Sequence, residues 1–221
     1  EAACGCAQRA GGSEEVTEKY RGFAKKIHSE SGRISEIVKN LLGYARIEDE
    51  EAPSPVFLPE VVDSTLMLVQ AVLRHDNILL EVSVGDNLPP ISGRRQQIQQ
   101  VLMNLLTNAR DALNLRYTGA DDNKRLLLST SVQRHDNSDW VRLTVEDHGP
   151  GIPKALRERV FDPFYTTKPP GKGTGLGLWL VYSIAENHHG RVRIESEPGA
   201  FTRFHVEFPA CDSQSVGARI H

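Results

Sequence analysis

The chain has 221 residues, 39% of them hydrophobic and 25% charged, with a formal net charge of −3. That length holds one well-buried domain plus an extension, and the composition is that of an ordinary soluble globular protein. The slightly acidic balance disfavours nucleic acid as a partner, and no apolar run approaches the roughly 20 residues that a membrane helix needs. Three cysteines are too few for a disulfide framework, so a reducing, cytoplasmic setting is expected, with any membrane contact made only through further parts of a longer parent protein.

In chain order, residues 1–13 are small, glycine-rich and aperiodic, as in a flexible lead or tag remnant. From residue 14 the pattern changes. Val16, Tyr20, Phe23, Ile27, Ile34, Ile37, Leu41 and Tyr44 step by fours and threes, with Glu30 at the one polar seam position. A long helix is expected within residues 14–51, and a lone helix cannot bury such a stripe, so a homodimer or bundle through residues 14–48 follows. The acidic run ending at Glu51 and the Pro53-Ser-Pro55 break then open a linker, and residues 52–211 read as one folded domain.

Within it, residues 56–58 predict a short strand, 59–74 an amphipathic helix and 78–84 a strand broken by Pro89-Pro90. A long helix is expected over 94–115, strands over 125–133 and 140–146, and a short helix over 153–160 with proline at its first position. Residues 161–174 predict a mobile lid anchored by Phe161 and Phe164. A helix over 176–188 stopped by Gly190, strands over 191–196 and 202–208, and a disordered tail at 212–221 complete the chain. The alternation suits an α/β fold: a two-layer α/β sandwich, with three helices covering one face of a mixed sheet, preceded by the heptad-patterned helix.

Three stretches carry chemistry. Asp147 ends an alternating strand and is followed by Gly149 and Gly151. A carboxylate fixed there can accept from the exocyclic amine of adenine and would oppose the carbonyl that guanine presents, while the glycines let a flat base approach the backbone. Gly171 to Leu178 places four glycines directly ahead of a helical pattern, and such free amides at a helix N-terminus suit a triphosphate. Either stretch alone also reads as a glycine-rich turn. On the helix upstream, Gln100, Asn104, Asn108 and Asp111 share one face, opposite Leu102, Leu105, Leu106, Ala109 and Ala112. A polar stripe ordinarily faces water; two amides one turn apart also suit a hard cation such as magnesium on a nucleotide.

Together, Asn104-x-x-x-Asn108, Asp147-x-Gly-x-Gly151, Phe161-Asp-Pro-Phe164 and Gly173-Thr-Gly-Leu-Gly-Leu178 resemble the N, G1, F and G2 boxes of the ATP-binding domain of sensor histidine kinases. That domain, of Bergerat type, belongs to the wider group shared with gyrase, Hsp90 and MutL. The Phe-Asp-Pro-Phe box points to the kinases within the group, and the Asn-Ala-x-Asp continuation of the N box is closest to the nitrogen-regulatory type. The resemblance implies ATP and Mg2+ as ligands. It assigns Asp147 to the adenine amine, Gly149 and Gly151 to the turn beneath the base, and Thr202 to a supporting adenine contact. It assigns Asn108 to the metal and Asn104 to the γ-phosphate or a metal-bound water. Gly173, Gly175 and Gly177 would line the phosphates, with Lys168 and Lys172 as neutralising lid cations. Ile152, Phe164, Thr166, Thr174, Leu176 and Leu178 fall within the same nucleotide-binding boxes. Asn104 and Lys168 are the implied catalytic residues.

The departures are His148 where asparagine is common, Phe201 where glycine is usual before Thr202, and Asp111 where other subtypes carry a cation. Residues 35–46 are similar to the second helix of the kinase dimerisation hairpin. The first helix, which in the family carries the phospho-accepting histidine, has no counterpart here, so a kinase core without its acceptor is expected. His28 is followed by Ser29 where the family has an acidic residue, which disfavours it as acceptor. The expected function is γ-phosphoryl transfer from ATP to a histidine on a hairpin helix, for relay to the receiver domain of a response regulator. The competing readings are a non-catalytic nucleotide-binding module, an ATPase of the Hsp90 or MutL kind, and a serine kinase. His188-His189 predict a helix C-terminal cap, and His75, His135 and His205 are expected at the surface.

Overall fold

The structure is a computed structural model that describes residues 20–21, 31, 52–135, 138–169 and 173–211. The lead at 1–13, nearly all of the heptad stretch, Lys172 and the tail at 212–221 lie outside the described residues. Tyr20, Arg21 and Ser31, the described positions of the heptad stretch, are helical and exposed. The chain divides into two compact units; residues 166–174 belong to one, and the α/β sandwich is built in the other from 52–165 and 175–211.

The first strand, β1 (Ser54–Val56), pairs antiparallel with β3 (Ile91–Gly93), Val56 opposite Ile91. It ends two residues earlier than the hydrophobic run suggests. Leu58 already begins the helix α1 (Leu58–His75), with Pro59 in the first turn, where a missing N–H costs nothing. One face of α1 is buried through Leu58, Val61, Val62, Thr65 and Leu73, and the Thr65 hydroxyl donates to the Val61 carbonyl at 2.7 Å. The long helix α2 (Arg95–Arg116) buries Leu102, Leu105, Leu106 and Ala109 of the apolar face its sequence predicts, leaves Ala112 half-buried, and adds Ile98, Val101 and Leu113. The third helix, α3 (Gly177–Asn187), buries Leu180, Val181, Ile184 and Ala185.

The main sheet contains β2 (Leu79–Ser83), β4 (Arg125–His135), β5 (Ser138–Asp147), β6 (Arg191–Glu197) and β7 (Phe201–Pro209), in the order β2-β4-β5-β7-β6. Only β2 and β4 run parallel; the other neighbours are antiparallel, so the sheet is mixed, as expected. Side chains alternate across it. Leu126, Leu128, Val141, Leu143, Val145, Phe204, Val206 and Phe208 form the buried face, together with the three helices. Residues 153–160, expected as one short helix, instead make two 3-10 turns at Lys154–Leu156 and Arg159–Phe161. No helix among the described residues is long and apolar enough to cross a membrane.

The opposite face of the sheet is polar, yet β7 is buried there as well. Glu207 is fully buried, takes a two-pronged contact from Arg142 and lies 3.4 Å from His135 Nε2. His205 is 9% exposed and shares a hydrogen bond with Thr144 at 2.9 Å. The expectation that His205 is a surface residue is therefore corrected. Its ring fills the gap between charged neighbours, and burial first of all, opposed by Glu195, pulls its pKa down.

Candidate functional site

Asp147 stands at the C-terminal end of β5, the middle strand of the sheet, and is 4% exposed. Its Oδ1 accepts from the Gly149 amide at 2.9 Å, folding the chain back over its own carboxylate. Burial pushes the Asp147 carboxyl from 3.8 up to about 7; the Gly149 amide opposes this shift and the nearby Glu146 adds to it. A buried carboxyl held near neutrality at a strand end marks this position as a candidate site.

The neighbouring strand places Thr202 directly opposite Asp147 in the β5–β7 ladder. Both point to the helix side, and Thr202 is 3% exposed. Phe201, standing where the family has glycine, does not disturb this register; its ring lies under the Arg203 guanidinium at 5.0 Å. The turn after Asp147 admits no side chain. A Cβ on Gly149 would meet Asp147 Oδ1 at 2.5 Å and the Ala112 methyl at 2.9 Å. Gly151 has φ of +72°, and a Cβ there would lie 2.3 Å from the Glu197 carbonyl.

Sequence reasoning missed two residues that hold this turn. The Arg116 guanidinium, in the last turn of α2, donates to the carbonyls of His148, Gly149 and Ala200 at 3.1, 2.8 and 3.3 Å. Ser196 Oγ bonds the Ile152 amide at 2.8 Å, the Phe201 carbonyl at 2.8 Å and Thr202 Oγ1 at 3.1 Å. A helix-terminal arginine and a strand serine carry no periodic signal, and only the three-dimensional turn reveals them. Arg116→Ala is expected to lower stability by about 0.5–1.5 kcal/mol, because the exposed guanidinium gives up water for its carbonyl partners. A urea titration checks this, and an unchanged midpoint would show that the clasp is idle.

The amide pair on α2 meets the N-terminus of α3. A Cβ on Gly177 would lie 3.5 Å from Asn108 Nδ2 and 3.8 Å from Asn104 Oδ1, so the first residue of α3 faces both side chains. Asn104 Nδ2 is buried and has no hydrogen-bond partner among the described residues. A buried N–H without an acceptor is costly, and a bound anion or its hydration would satisfy it. Leu176, just ahead of α3, is 2% exposed and serves as packing, while Leu178 is half-buried within the first turn. Gly175 has φ of +70°, and a Cβ there would sit 2.3 Å from the Phe164 carbonyl carbon. Phe164 itself has φ of 66°, donates its amide to the Gly175 carbonyl at 3.0 Å and is 59% exposed. It is therefore not the apolar anchor expected. Phe161 fills that role, with its ring against Tyr182 and Phe204.

Thr166, Lys168, Gly173 and Thr174 lie on the segment assigned to the other unit. There the Lys168 amide donates to Thr166 Oγ1 at 3.1 Å, and a Cβ on Gly173 would meet that hydroxyl at 2.8 Å. His188 caps α3 as expected, but as a neutral ring. Its Nδ1 donates to the Ile184 carbonyl at 2.8 Å, and its Nε2 accepts from the Arg94 amide at 3.1 Å, tying α3 to the start of α2.

Residues 93–212 match the family described as histidine kinase-, DNA gyrase B-, and HSP90-like ATPase. The chain belongs to this family. Within it, the relatives are sensor histidine kinases, and this chain carries an ATP-binding domain of their type. It is 33% identical over 192 residues to the sensor kinase CckA of Brucella abortus (strain 2308), covering 83% of this chain and 20% of that protein. It is 31% identical over 211 residues to the sensory histidine kinase/phosphatase NtrB of Rhizobium leguminosarum bv. phaseoli, covering 92% of this chain and 53% of that one. The chain thus spans from a fifth to about half of these curated relatives. Among solved structures, full-length ShkA in complex with AMPPNP aligns with a TM-score of 0.65 at 26% identity, over 82% of this chain and 37% of that one. The catalytic domain of the histidine kinase ThkA aligns with a TM-score of 0.58 at 29% identity, over 72% and 97%.

Proposed function

We propose that this chain is the catalytic part of a sensor histidine kinase that passes the γ-phosphoryl group of ATP to a histidine on a dimerisation hairpin, for relay to an aspartate of a response regulator receiver domain. The reading rests first on Asp147, buried at the end of the central strand, opposite Thr202 and above two side-chain-free glycine positions. That arrangement suits a flat base with an exocyclic amine. Gly149, Gly151 and Ile152 form the turn beneath it. Gly175 and Gly177, with Leu176 and Leu178 around them, lead into the N-terminus of α3, whose amides suit the phosphates. By the family resemblance, Phe164, Thr166, Lys168, Lys172, Gly173 and Thr174 are also proposed as nucleotide-binding residues.

Asn104 Nδ2, without a hydrogen-bond partner among the described residues, and the neighbouring Asn108 suit a nucleotide with its metal. Asn108 would hold Mg2+ through its amide oxygen, and the ion would supply charge neutralisation of the triphosphate. Asn104 would orient the γ-phosphate or a metal-bound water, and Lys168 would balance charge. Transfer of this kind asks for positioning and electrostatics more than covalent help, and these are what the residues offer. We further propose that residues 52–211 act as the nucleotide domain, that residues 14–48 dimerise, and that the reaction takes place in the cytoplasm, where ATP is found.

The test is incubation of the chain with γ-labelled ATP and Mg2+, alone and with an added hairpin bearing a family-type acceptor histidine. Label is expected only on the added hairpin and is lost with Asn108→Ala. Label on this chain alone that disappears in His28→Gln would place the acceptor within it. Absence of label on both would remove the kinase reading.

A further inference from the structure

Three hydrogen bonds meet at the hydroxyl of Ser196, on the edge strand β6 and 5% exposed. A serine hydroxyl has one proton to give and two lone pairs to accept with. The Phe201 carbonyl at 2.8 Å can only accept, so it takes the Ser196 proton. The Ile152 amide at 2.8 Å can only donate, so it uses one lone pair. What remains for Thr202 Oγ1, at 3.1 Å, is the second lone pair. The Thr202 proton is therefore committed to Ser196, and Thr202 faces its ligand as an acceptor.

We infer that Ser196 is a positioning residue for base selectivity: by holding the Thr202 proton it makes Thr202 and Asp147 a pair of acceptors matched to an exocyclic amine and opposed to a carbonyl. The inference rests on the proposed nucleotide site and extends it to a residue that need not touch the base. The pairing matters because Asp147 alone is an incomplete filter. Burial pushes its carboxyl up to about 7, and a protonated carboxyl donates to a carbonyl as readily as a carboxylate accepts from an amine. Thr202, directly across the ladder, has no such freedom while Ser196 is present. The same hydroxyl fixes Ile152, just after Gly151, and so ties the turn beneath the base to the strand pair that reads its edge.

Calorimetric titration of the full chain with ATP and with inosine triphosphate tests this, since the two differ at the base edge by amine against carbonyl. The wild-type chain is expected to prefer ATP. In Ser196→Ala the freed Thr202 hydroxyl can turn and donate, so the preference falls about three- to tenfold, with inosine triphosphate binding held or improved. Ser196→Thr keeps the hydroxyl and restores the preference. Thr202→Val leaves the Ser196 bonds to Ile152 and Phe201 in place, so it guards against a folding defect; it too must lower the preference, and adding Ser196→Ala to it must then change nothing. Parallel weakening of both nucleotides in Ser196→Ala, or an unchanged preference in Thr202→Val, overturns the inference while leaving the nucleotide site intact. A wild-type chain that binds neither triphosphate overturns the nucleotide reading itself, and this inference with it.

Discussion

Asp147→Asn is expected to make the nucleotide-free protein more stable at neutral pH and to weaken ATP binding about ten- to a hundredfold. The two effects share one cause. Burial raises the folded-state pKa of Asp147 from 3.8 to about 7. Between those values the folded protein holds a proton that the unfolded chain has released. Stability is then fully present below about pH 4 and is lost as pH rises through about 7, by up to about 1.4 kcal/mol per unit. Asparagine keeps the carbonyl oxygen that accepts from Gly149 and has no such slope. For the ligand the order reverses, because an amine donating to a carboxylate contributes about 1.5–3 kcal/mol that a neutral amide does not match. ATP should accordingly bind the wild-type chain more tightly as pH rises through about 7, with a proton released on binding. Urea titrations at about pH 5 and pH 8, paired with calorimetry in two buffers of different ionisation enthalpy, measure both halves. Parallel pH slopes for wild type and variant would mean that Asp147 is not the titrating group.

Gly151→Ala should cost at least about 2 kcal/mol, or about 4–8 °C in Tm for a domain of this size. At φ of +72° any side chain is strained, and here the new methyl would also lie 2.3 Å from the Glu197 carbonyl and 2.8 Å from Pro198 Cα. That contact is with backbone, which cannot swing aside, and the adjoining turn is pinned by the Gly199 amide donating to the Pro150 carbonyl at 2.7 Å. Gly119→Ala is the control: nothing lies within 4 Å of its Cβ position, so the change should stay within about 0.5 kcal/mol. Equal melting temperatures for the two variants would contradict the close approach at Gly151.

The parts of this molecule that were legible in the sequence are those fixed by local pattern. The apolar stripe of α2 and the alternation of β5 predict their elements, and Asp147 at a strand end ahead of two glycines predicts the turn that the structure contains. What stayed hidden depends on pairing across the chain. The strand β1 stops at Val56 because its partner β3 is only three residues long, and nothing in the run from Val56 to Leu58 announces that limit. Phe164 reads as apolar and proves exposed, because its backbone is turned to meet Gly175. His205 reads as a surface residue and is buried by a charged cluster drawn from β5, β6 and β7. Ser196 has no motif of its own, and its meaning lies in three partners that are remote from one another only in sequence.

Among the described residues, the sheet's two outer strands are guarded unequally against addition of a further strand. Along β6, Arg191, Arg193, Glu195 and Glu197 alternate outward, a row of both signs that a neighbouring chain would have to strip of water before it could pair. The margin at β2 has Glu81, held by Arg125, between Leu79 at 48% and Val82 at 43% exposed. Oligomers built by strand addition, and the aggregation that follows from it, are therefore blocked at one border of the domain and only lightly opposed at the other.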